Sequence, residues 1–528
     1  MNRYNLLYLL LSSLFLSLSL EPVGSALCGI LSIALLFHVF LKFYSSPKLS
    51  YAFLYTAWYS FFLSVSTFYW VYWGILNITG LSGISAGLLF LLFALTSFYK
   101  LIIPFIVLLL IKKYKKDAKL NDLILLLIGT LSLTELCPMI FPLYFGDLLR
   151  NNLILRQIAV FGVEALSLSL IILSASIYLG FLHRKNSLKS ILLKLIPCSV
   201  ILTLNLVLLT KEIPTDFEIN MGLIQTNTEY SKKLDREDSK YLTHALQTFY
   251  QLGMEAYLSS EQPIDLLVFP ESAVPFLGTL KSENQRSSTY SSSFEEVVIN
   301  LAKNLKSNIL FNEIISDGNT QNSATLKRFD SEVFERRPKQ ILLPFGEYIP
   351  FESSLPFLRN IFKETSNHKP GSDNSYFTAK SKSNETFHFQ TLICYEILNS
   401  NFVREKSYDP NIQFLLNLTN DSWFLSERES NLHAGAGRLR AIETGLPLVR
   451  LAVTGTTKGF DPWGRDLLGE LPSNQKLIAF LHLPLQVKKE PTPFLRFGPW
   501  PLRSFAIFML IFGFLRSGRQ ISSDGNEK

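Results

Sequence analysis

Three apolar runs in this 528-residue chain end on side chains able to do acid–base or nucleophilic chemistry. Leu266-Leu267-Val268-Phe269-Pro270-Glu271-Ser272 places a carboxylate just after an apolar strand. Thr391-Leu392-Ile393-Cys394-Tyr395-Glu396 places a thiol at a similar point. Between them, the stretch from Lys339 to Tyr348 offers a lysine and a second carboxylate, Glu347, around a Pro/Gly turn. A thiol nucleophile needs a base to take its proton and a cation to hold thiolate and developing oxyanion. Glu, Lys and Cys supply those roles in principle, and sites in α/β sheets collect where strands end. Taken singly, each residue reads equally well as ordinary structure: a buried cysteine, a surface glutamate, a surface lysine. Periodicity does not bring the three together in space.

The elements that must position them follow from the hydrophobic pattern. From about residue 215 the chain becomes short apolar runs bounded by polar or Gly/Pro punctuation, with strands predicted at 219–225, 264–269, 308–315, 388–395, 412–418, 448–453 and 477–483. Several are continuous runs, as in sheets covered on both faces. Helices are predicted at 239–257, 294–306 and 432–444, and alternating strands and helices indicate an α/β domain. The polar stretches 281–293 and 365–385 read as loops.

Before residue 210 the chain has a different solvent in mind. Apolar segments near 5–20, 25–44, 51–75, 83–111, 120–145, 158–182 and 190–210, with another at 501–515, approach the roughly 20 residues that cross a bilayer core. The fourth is long and contains Lys100 and Pro104, which suits a tilt or kink. Basic residues fall on alternate connections: Arg3, Lys42 with Lys48, the run from Lys112 to Lys116, Arg184-Lys185 with Lys189, and Arg516 with Arg519. The positive-inside rule then places both termini in the cytoplasm and residues 211–500 outside it. The expected organisation is a membrane domain of about seven helices at 1–210, an extracytoplasmic α/β domain at 211–495, a closing span at 496–518 and a cytoplasmic tail at 519–528. The aromatics from Phe68 to Trp73 read as an interfacial belt or as the lining of a lipid route.

Composition removes several classes. Hydrophobic residues make up 48% and charged residues 18%, the reverse of a disordered chain. Residues 1–210 carry 15 Lys and Arg against 6 Asp and Glu, and the rest carry 35 against 37, so the net +7 belongs to the membrane part. No basic stripe with interleaved aromatics marks the other half, which argues against nucleic acid. Four cysteines without CxxC or Cys/His spacing give neither a disulfide scaffold nor a zinc site, and no glycine loop cradles phosphate. No cofactor is expected. Leu27 is not the small residue that signal cleavage before a lipidated Cys28 wants, and the first span is read as retained because further spans follow at once. Lys100, Glu135, Glu164 and Lys194 lie within apolar segments with no evident pairing. Such few charges make a transporter the weakest reading.

The segments around Glu271, Lys339 and Cys394 resemble the nitrilase superfamily, in which a Glu–Lys–Cys triad is carried on an αββα sandwich. With the membrane spans, the whole chain is similar to the apolipoprotein N-acyltransferase family. The resemblance rests on Phe269-Pro270-Glu271-Ser272-Ala273, Lys339 through Pro350, Ile393-Cys394-Tyr395-Glu396, Asn420-Asp421-Ser422-Trp423-Phe424 and Arg440-Ala441-Ile442-Glu443-Thr444-Gly445, in that order. It implies a multispan α-helical membrane domain plus an α/β nitrilase-like αββα sandwich domain, in a cell inner membrane with the catalytic domain on the periplasmic side. It implies Glu271 as general base, Lys339 as stabiliser of oxyanion and thiolate, and Cys394 as nucleophile. Glu347 is implied as a supporting carboxylate, Tyr395 and Glu396 in shaping the acyl site, and Trp423 on a substrate-facing loop. The implied reaction takes an acyl chain from a phospholipid onto Cys394 as a thioester. It then transfers the chain to the α-amine of the N-terminal S-diacylglyceryl-cysteine of an apolipoprotein.

Three positions depart from the family's pattern. Arg337, followed by Pro338, stands where a tyrosine is usual two residues before the lysine. Leu234 follows Lys233 where a tryptophan is common, and Val453 stands where an asparagine usually precedes Thr-Gly. These departures bear on substrate handling and leave open a divergent acyltransferase with another amine acceptor. A membrane-tethered, nitrilase-like amidase is the competing reading, and a closed small pocket around Cys394 would favour it.

Overall fold

The computed structural model describes residues 3–115, 118–184, 187–209, 215–228, 239–274, 278–279, 289–317, 319–487 and 490–517. Leu234 and the predicted tail at 519–528 lie outside the described residues. Two compact units form: residues 1–69, 88–210 and 497–528 make the first, and residues 70–87 with 211–496 the second. The stretch 70–87, read from sequence as part of the membrane region, therefore groups with the α/β unit.

Among the described residues, Ala26–Ser45, Gly83–Tyr114, Val163–Leu182 and Lys189–Leu209 are long and apolar enough to cross a membrane. Leu49–Thr67 and Trp70–Thr79 meet the same test only as a pair bent by 78°. The single span expected at 51–75 is thus broken at Phe68-Tyr69. The segment expected at 120–145 is helical only over Leu120–Leu133, followed by a 3₁₀ turn at Thr134–Leu136. Arg3–Ser19 and Trp500–Arg516 are each 17 residues long. Leu120–Leu133 and Trp500–Arg516 approach closely at two glycines. A Cβ on Gly129 would lie 2.7 Å from the Ala506 carbonyl, and one on Gly513 would lie 2.9 Å from Leu126 Cγ. Small residues at such crossings gain packing that lipid does not supply.

Of the four charges expected without evident pairing, Lys100, Glu135 and Glu164 are paired. Lys100 Nζ is 3.6 Å from Glu135, and Arg503 is 2.6 Å from Glu164. Arg150 is buried between Glu21 and Asp147. Apart from Asp147, three residues before Arg150, the partners lie tens to hundreds of residues apart, which spacing along the chain does not reveal, and an ion in an apolar surrounding is stable only with such a partner.

The second unit is a four-layer αββα sandwich. Its strands are β1 (Phe217–Gln225), β2 (Leu266–Val268), β3 (Asn308–Asp317), β4 (Asn319–Lys327), β5 (Phe334–Pro338), β6 (Phe377–Lys380), β7 (Thr386–Ile393), β8 (Phe414–Thr419), β9 (Leu448–Ala452), β10 (Lys458–Phe460) and β11 (Leu477–Leu485). One sheet has the order β11-β1-β2-β3-β4-β5 and the other β10-β9-β8-β7-β6. The central strands β1-β2-β3 and β7-β8-β9 are parallel, and antiparallel strands flank them. Every residue of β2, β8 and β9 is buried, which explains their unbroken apolar pattern.

Between the sheets, Met221, Leu223, Val268 and Leu310 meet Phe389, Leu416, Leu418 and Val449. On one outer face, helices Ser239–Ser259 and Thr289–Leu305 cover the first sheet. There Phe249 stacks on Phe269 with ring centroids 3.7 Å apart and meets Phe294 edge-on. On the other, Ser400–Lys406 and Glu427–Thr444 cover the second sheet through Val403 and Ala441. Each such fully buried large side chain contributes roughly 1.5–3 kcal/mol. Helix Glu427–Thr444 carries acidic residues in its first turn, where they complement the helix dipole. It ends on Gly445 at φ +65°, a left-handed cap that glycine adopts without strain. The segment expected to be a loop at 365–385 contains β6, and residues 289–293 of the other expected loop open a helix.

Candidate active site

The sequence-predicted triad converges at the C-terminal ends of three strands. Glu271 follows β2 by a Phe-Pro step, Lys339 follows β5 directly, and Cys394 follows β7 directly. Lys339 Nζ lies 2.8 Å from Glu347 Oε2 and 3.5 Å from Glu271 Oε1, and all three side chains are buried. Cys394 remains partly exposed at the wall of a cavity that Glu271, Lys339, Glu347 and Trp423 also line. The charge of the neighbouring Glu271 carboxylate bears directly on this thiol.

Local backbone explains how the thiol and carboxylate are aimed. Cys394 begins a 3₁₀ turn at φ +48°, and Ser272, after the base, has φ +54°. Non-glycine residues in this region cost about 1–3 kcal/mol each and persist only where the surroundings over-determine them. The Ser272 N–H donates to Asn312 Oδ1 at 2.8 Å. Behind the nucleophile, Glu396 accepts from Ile393 N at 2.7 Å and from Gln340 N at 2.6 Å. It thereby ties the turn after β7 to the residue following Lys339, so its carboxylate faces backbone amides. Tyr395 is half-buried, and burial together with neighbouring Tyr348 pushes its hydroxyl well above the ordinary phenol value.

The electrostatics separate the two carboxylates. Burial raises the Glu271 pKa; Lys339 opposes this and the Glu347 charge adds to it, leaving a net upward shift. Burial also works against ionisation of Glu347, but Lys339 outweighs it, helped by the Leu343 N–H at 2.8 Å, and its pKa falls below normal. Lys339 is disfavoured by burial, yet Glu347 and Glu271 hold its ammonium above the ordinary lysine range. Burial pushes the Cys394 thiol well up, the Glu271 charge adds to this, and Lys339 opposes it. The resting state is therefore a neutral thiol beside a carboxylate of raised proton affinity, with a fixed ammonium between two acids. Such an arrangement can pass a proton from sulfur to Glu271 while Lys339 takes up negative charge on a substrate oxygen.

Asn322 was not foreseen from the sequence. It stands on β4 and donates one amide to both acids, at 2.9 Å to Glu271 and 3.2 Å to Glu347. His368 lines the cavity and its charge favours ionised Glu347. Asp421 and His433 were also missed as contributors to this region. Asp421, after β8, is held by Arg450 of β9 at 2.7 and 2.8 Å, and His433 lies 3.4 Å from it. With Glu429 these residues resemble a metal-ligand set, but the Arg450 guanidinium occupies both oxygens of Asp421, so the cluster is an ion-pair network. In the motif at the end of the same helix, Arg440 pairs with Glu443 at 2.8 Å, and Ser400 donates to Glu443 at 2.9 Å.

The loop bearing Trp423 is bound to helix Trp70–Thr79. Asn77 Nδ2 donates to the Trp423 carbonyl at 3.0 Å, and Trp70 meets Phe424 edge-on at 4.9 Å. The two described departures from the family's pattern, Arg337 and Val453, are not among the residues lining the cavity. Arg337 binds the carbonyls of Ser375 and Tyr376 and lies over Phe377, and Val453 is fully buried with its N–H on Thr419.

Residues 238–487 match the carbon-nitrogen hydrolase family. An apolipoprotein N-acyltransferase 1 of Leptospira interrogans is 33% identical over 462 residues, covering 77% of this chain and 79% of that protein. An apolipoprotein N-acyltransferase of Haemophilus ducreyi is 28% identical over 385 residues, 71% of each chain. Among solved structures, a nitrilase-superfamily amidase variant of Nesterenkonia aligns over 52% of this chain and 94% of its own, with 20% identity and a TM-score of 0.37.

Proposed function

This chain belongs to the apolipoprotein N-acyltransferase family, and from that premise we propose that it N-acylates the diacylglyceryl-cysteine at the N-terminus of apolipoproteins through a Cys394 thioester. The observation that carries the mechanism is the placement of Lys339 between Glu347 and Glu271, on the same cavity wall as Cys394.

In the first half-reaction Glu271 takes the thiol proton and Sγ attacks an ester carbonyl of a membrane phospholipid. The Lys339 ammonium holds the tetrahedral oxyanion. Collapse breaks the ester C–O bond, and protonated Glu271 returns its proton to the departing alkoxide, giving thioester and lysophospholipid. In the second, the neutral α-amine attacks the thioester and gives its proton to Glu271. Lys339 again holds the oxyanion, and collapse restores Cys394 and leaves an amide. Because the lysophospholipid leaves before the amine attacks the acyl-enzyme, the kinetics are ping-pong.

The alternating basic connections support an inner-membrane placement with the catalytic unit on the periplasmic side. The four or five helices among the described residues that are long and apolar enough to cross a membrane are consistent with anchoring where both lipidated substrates reside. On this reading Trp423 and Phe424 form the substrate-facing wall, and Tyr395 flanks the acyl site.

The test is complementation of a strain depleted of its own N-acyltransferase, with mass spectrometry of lipoprotein N-termini. Growth with an amide-linked acyl chain on the terminal cysteine supports the proposal. Stable expression without that third chain refutes it.

A further inference from the structure

Helix Glu427–Thr444 buries His433 directly behind the nucleophile, and nothing in the acyl-transfer scheme above uses it. Its Nε2 is 3.1 Å from the Cys394 carbonyl oxygen. Its Nδ1 faces Asp421 at 3.4 Å and Glu429 at 3.6 Å. The carbonyl also accepts from Asn417 Nδ2, at a longer 3.4 Å, while that amide makes a 3.1 Å bond to Leu392. His433 is thus the closer donor to the backbone of a residue held at φ +48°.

We propose that His433 is a positioning residue for the nucleophile: its Nε2–H anchors the Cys394 carbonyl and keeps the turn in the conformation that aims the thiol at Glu271. This rests on the reading of Cys394 as the nucleophile.

The protonation follows from the partners. A carbonyl only accepts, so the hydrogen on Nε2 is required by the contact itself. On the other nitrogen, the proton is shared within a closed set of charges: Asp421 from the turn after β8, Glu429 from the same helix, and Arg450 from β9, which holds Asp421. Burial and the Asp421 charge push Glu429 up to about 7. Near neutral pH the mobile proton therefore lies on His433 Nδ1 or on Glu429, and in either state Nε2 keeps its own. Asp421 belongs to the same loop as Trp423, so this contact links the substrate-facing loop to the nucleophile turn through one imidazole.

The experiment measures single-turnover formation of acyl-Cys394 by full-length enzyme in phospholipid nanodiscs. His433→Met fills the space without a donor, and acylation should slow by about 10²-fold, the effect of a misplaced reacting group. His433→Gln puts an amide nitrogen near the position of Nε2 and should stay within about fivefold of wild type. His433→Met at the wild-type rate, or His433→Gln falling as far as His433→Met, overturns the proposal. Nitrogen-15 histidine spectra of the wild-type protein give an answer that needs no variant to fold. His433 should show a protonated Nε2 across about pH 6 to 9, and a bare Nε2 overturns the proposal. A wild type that acquires no acyl group on Cys394 counts against the function; one that acquires it, with His433→Met equally fast, counts against His433 alone.

Discussion

Lys339 is 2.8 Å from Glu347 and 3.5 Å from Glu271, so the tight ion pair of the site is made with the carboxylate to which the proposed mechanism assigns no proton transfer. Glu347 neutralises the ammonium at rest and adds negative potential at Glu271, keeping its proton affinity high. Glu347→Gln removes that potential, so the Glu271 pKa should fall and the acid limb of the acylation pH–rate profile should move to lower pH. The plateau rate should drop by about 10–10²-fold, because a weaker base faces the same neutral thiol. An unshifted acid limb would contradict the division of roles.

Glu271→Gln keeps the shape and the Asn322 contact but cannot accept the thiol proton. Acyl-enzyme formation should slow by about 10²–10⁴-fold. Lys339→Ala should slow both thioester formation and transfer from preformed thioester to the amine, each by at least about 10²-fold. Lys339→Arg should not rescue, because a planar fork does not replace a compact ammonium between two buried acids. Rapid-quench kinetics of each half-reaction decide it, and a near-wild-type rate in either variant removes that residue from its role.

Gly74 is a close-approach glycine in helix Trp70–Thr79: a Cβ there would lie 2.5 Å from Phe424 Cδ1. Phe424 lines the active-site cavity. Gly74→Val should displace the ring and lower acyl transfer by about tenfold, and Phe424→Leu in the same chain should restore part of the loss. Turnover of the single and double variants checks this; a double variant no better than Gly74→Val would mean the ring is not what transmits the change.

Glu271 and Cys394 were legible because each follows an apolar strand, whereas Lys339 follows β5, Phe-Glu-Arg-Arg-Pro, a charged strand that the hydrophobic pattern did not mark. The partners that set the triad's electrostatics were not legible. Asn322 stands in β4, where Asn-Thr-Gln-Asn-Ser-Ala reads as polar loop, yet the strand forms because its second half is buried beside β3. Arg450 and Asp421 meet across β8 and β9, a pairing set by strand order. Helical spans were legible by apolarity, but the 78° break after Thr67 carries no proline or glycine to announce it. Ion pairs such as Arg503 with Glu164 join segments 339 residues apart.

The Glu429–His433 pair makes folding pH-dependent in a defined direction. Burial, with the Asp421 charge, raises Glu429 from 4.5 to about 7. Burial and Arg450 disfavour His433 protonation, but Asp421 and Glu429 outweigh them and its pKa is raised. Both groups bind protons more tightly folded than unfolded: the Glu429 stabilisation is fully present below about pH 4.5 and lost as pH rises through about 7, and that of His433 is fully present below its ordinary value of 6.5 and lost as pH rises above it. Apparent Tm at fixed scan rate should fall between about pH 5 and 8 in the wild type, and fall less in Glu429→Gln, the difference being on the order of a few kcal/mol. Equal slopes would show that the pair does not titrate as described.

The central claim is that the acyl chain passes through Cys394, and peptide mass spectrometry after incubation of purified enzyme with phospholipid tests it most directly. The account predicts one fatty acyl mass on the peptide containing Cys394, removed by hydroxylamine, transferred to an added diacylglyceryl-peptide amine, and absent in Cys394→Ala. It also predicts that replacing Cys28, Cys137 and Cys198 leaves the adduct intact. An acyl adduct that persists in Cys394→Ala, or acyl transfer to the amine by that variant at the wild-type rate, would contradict it.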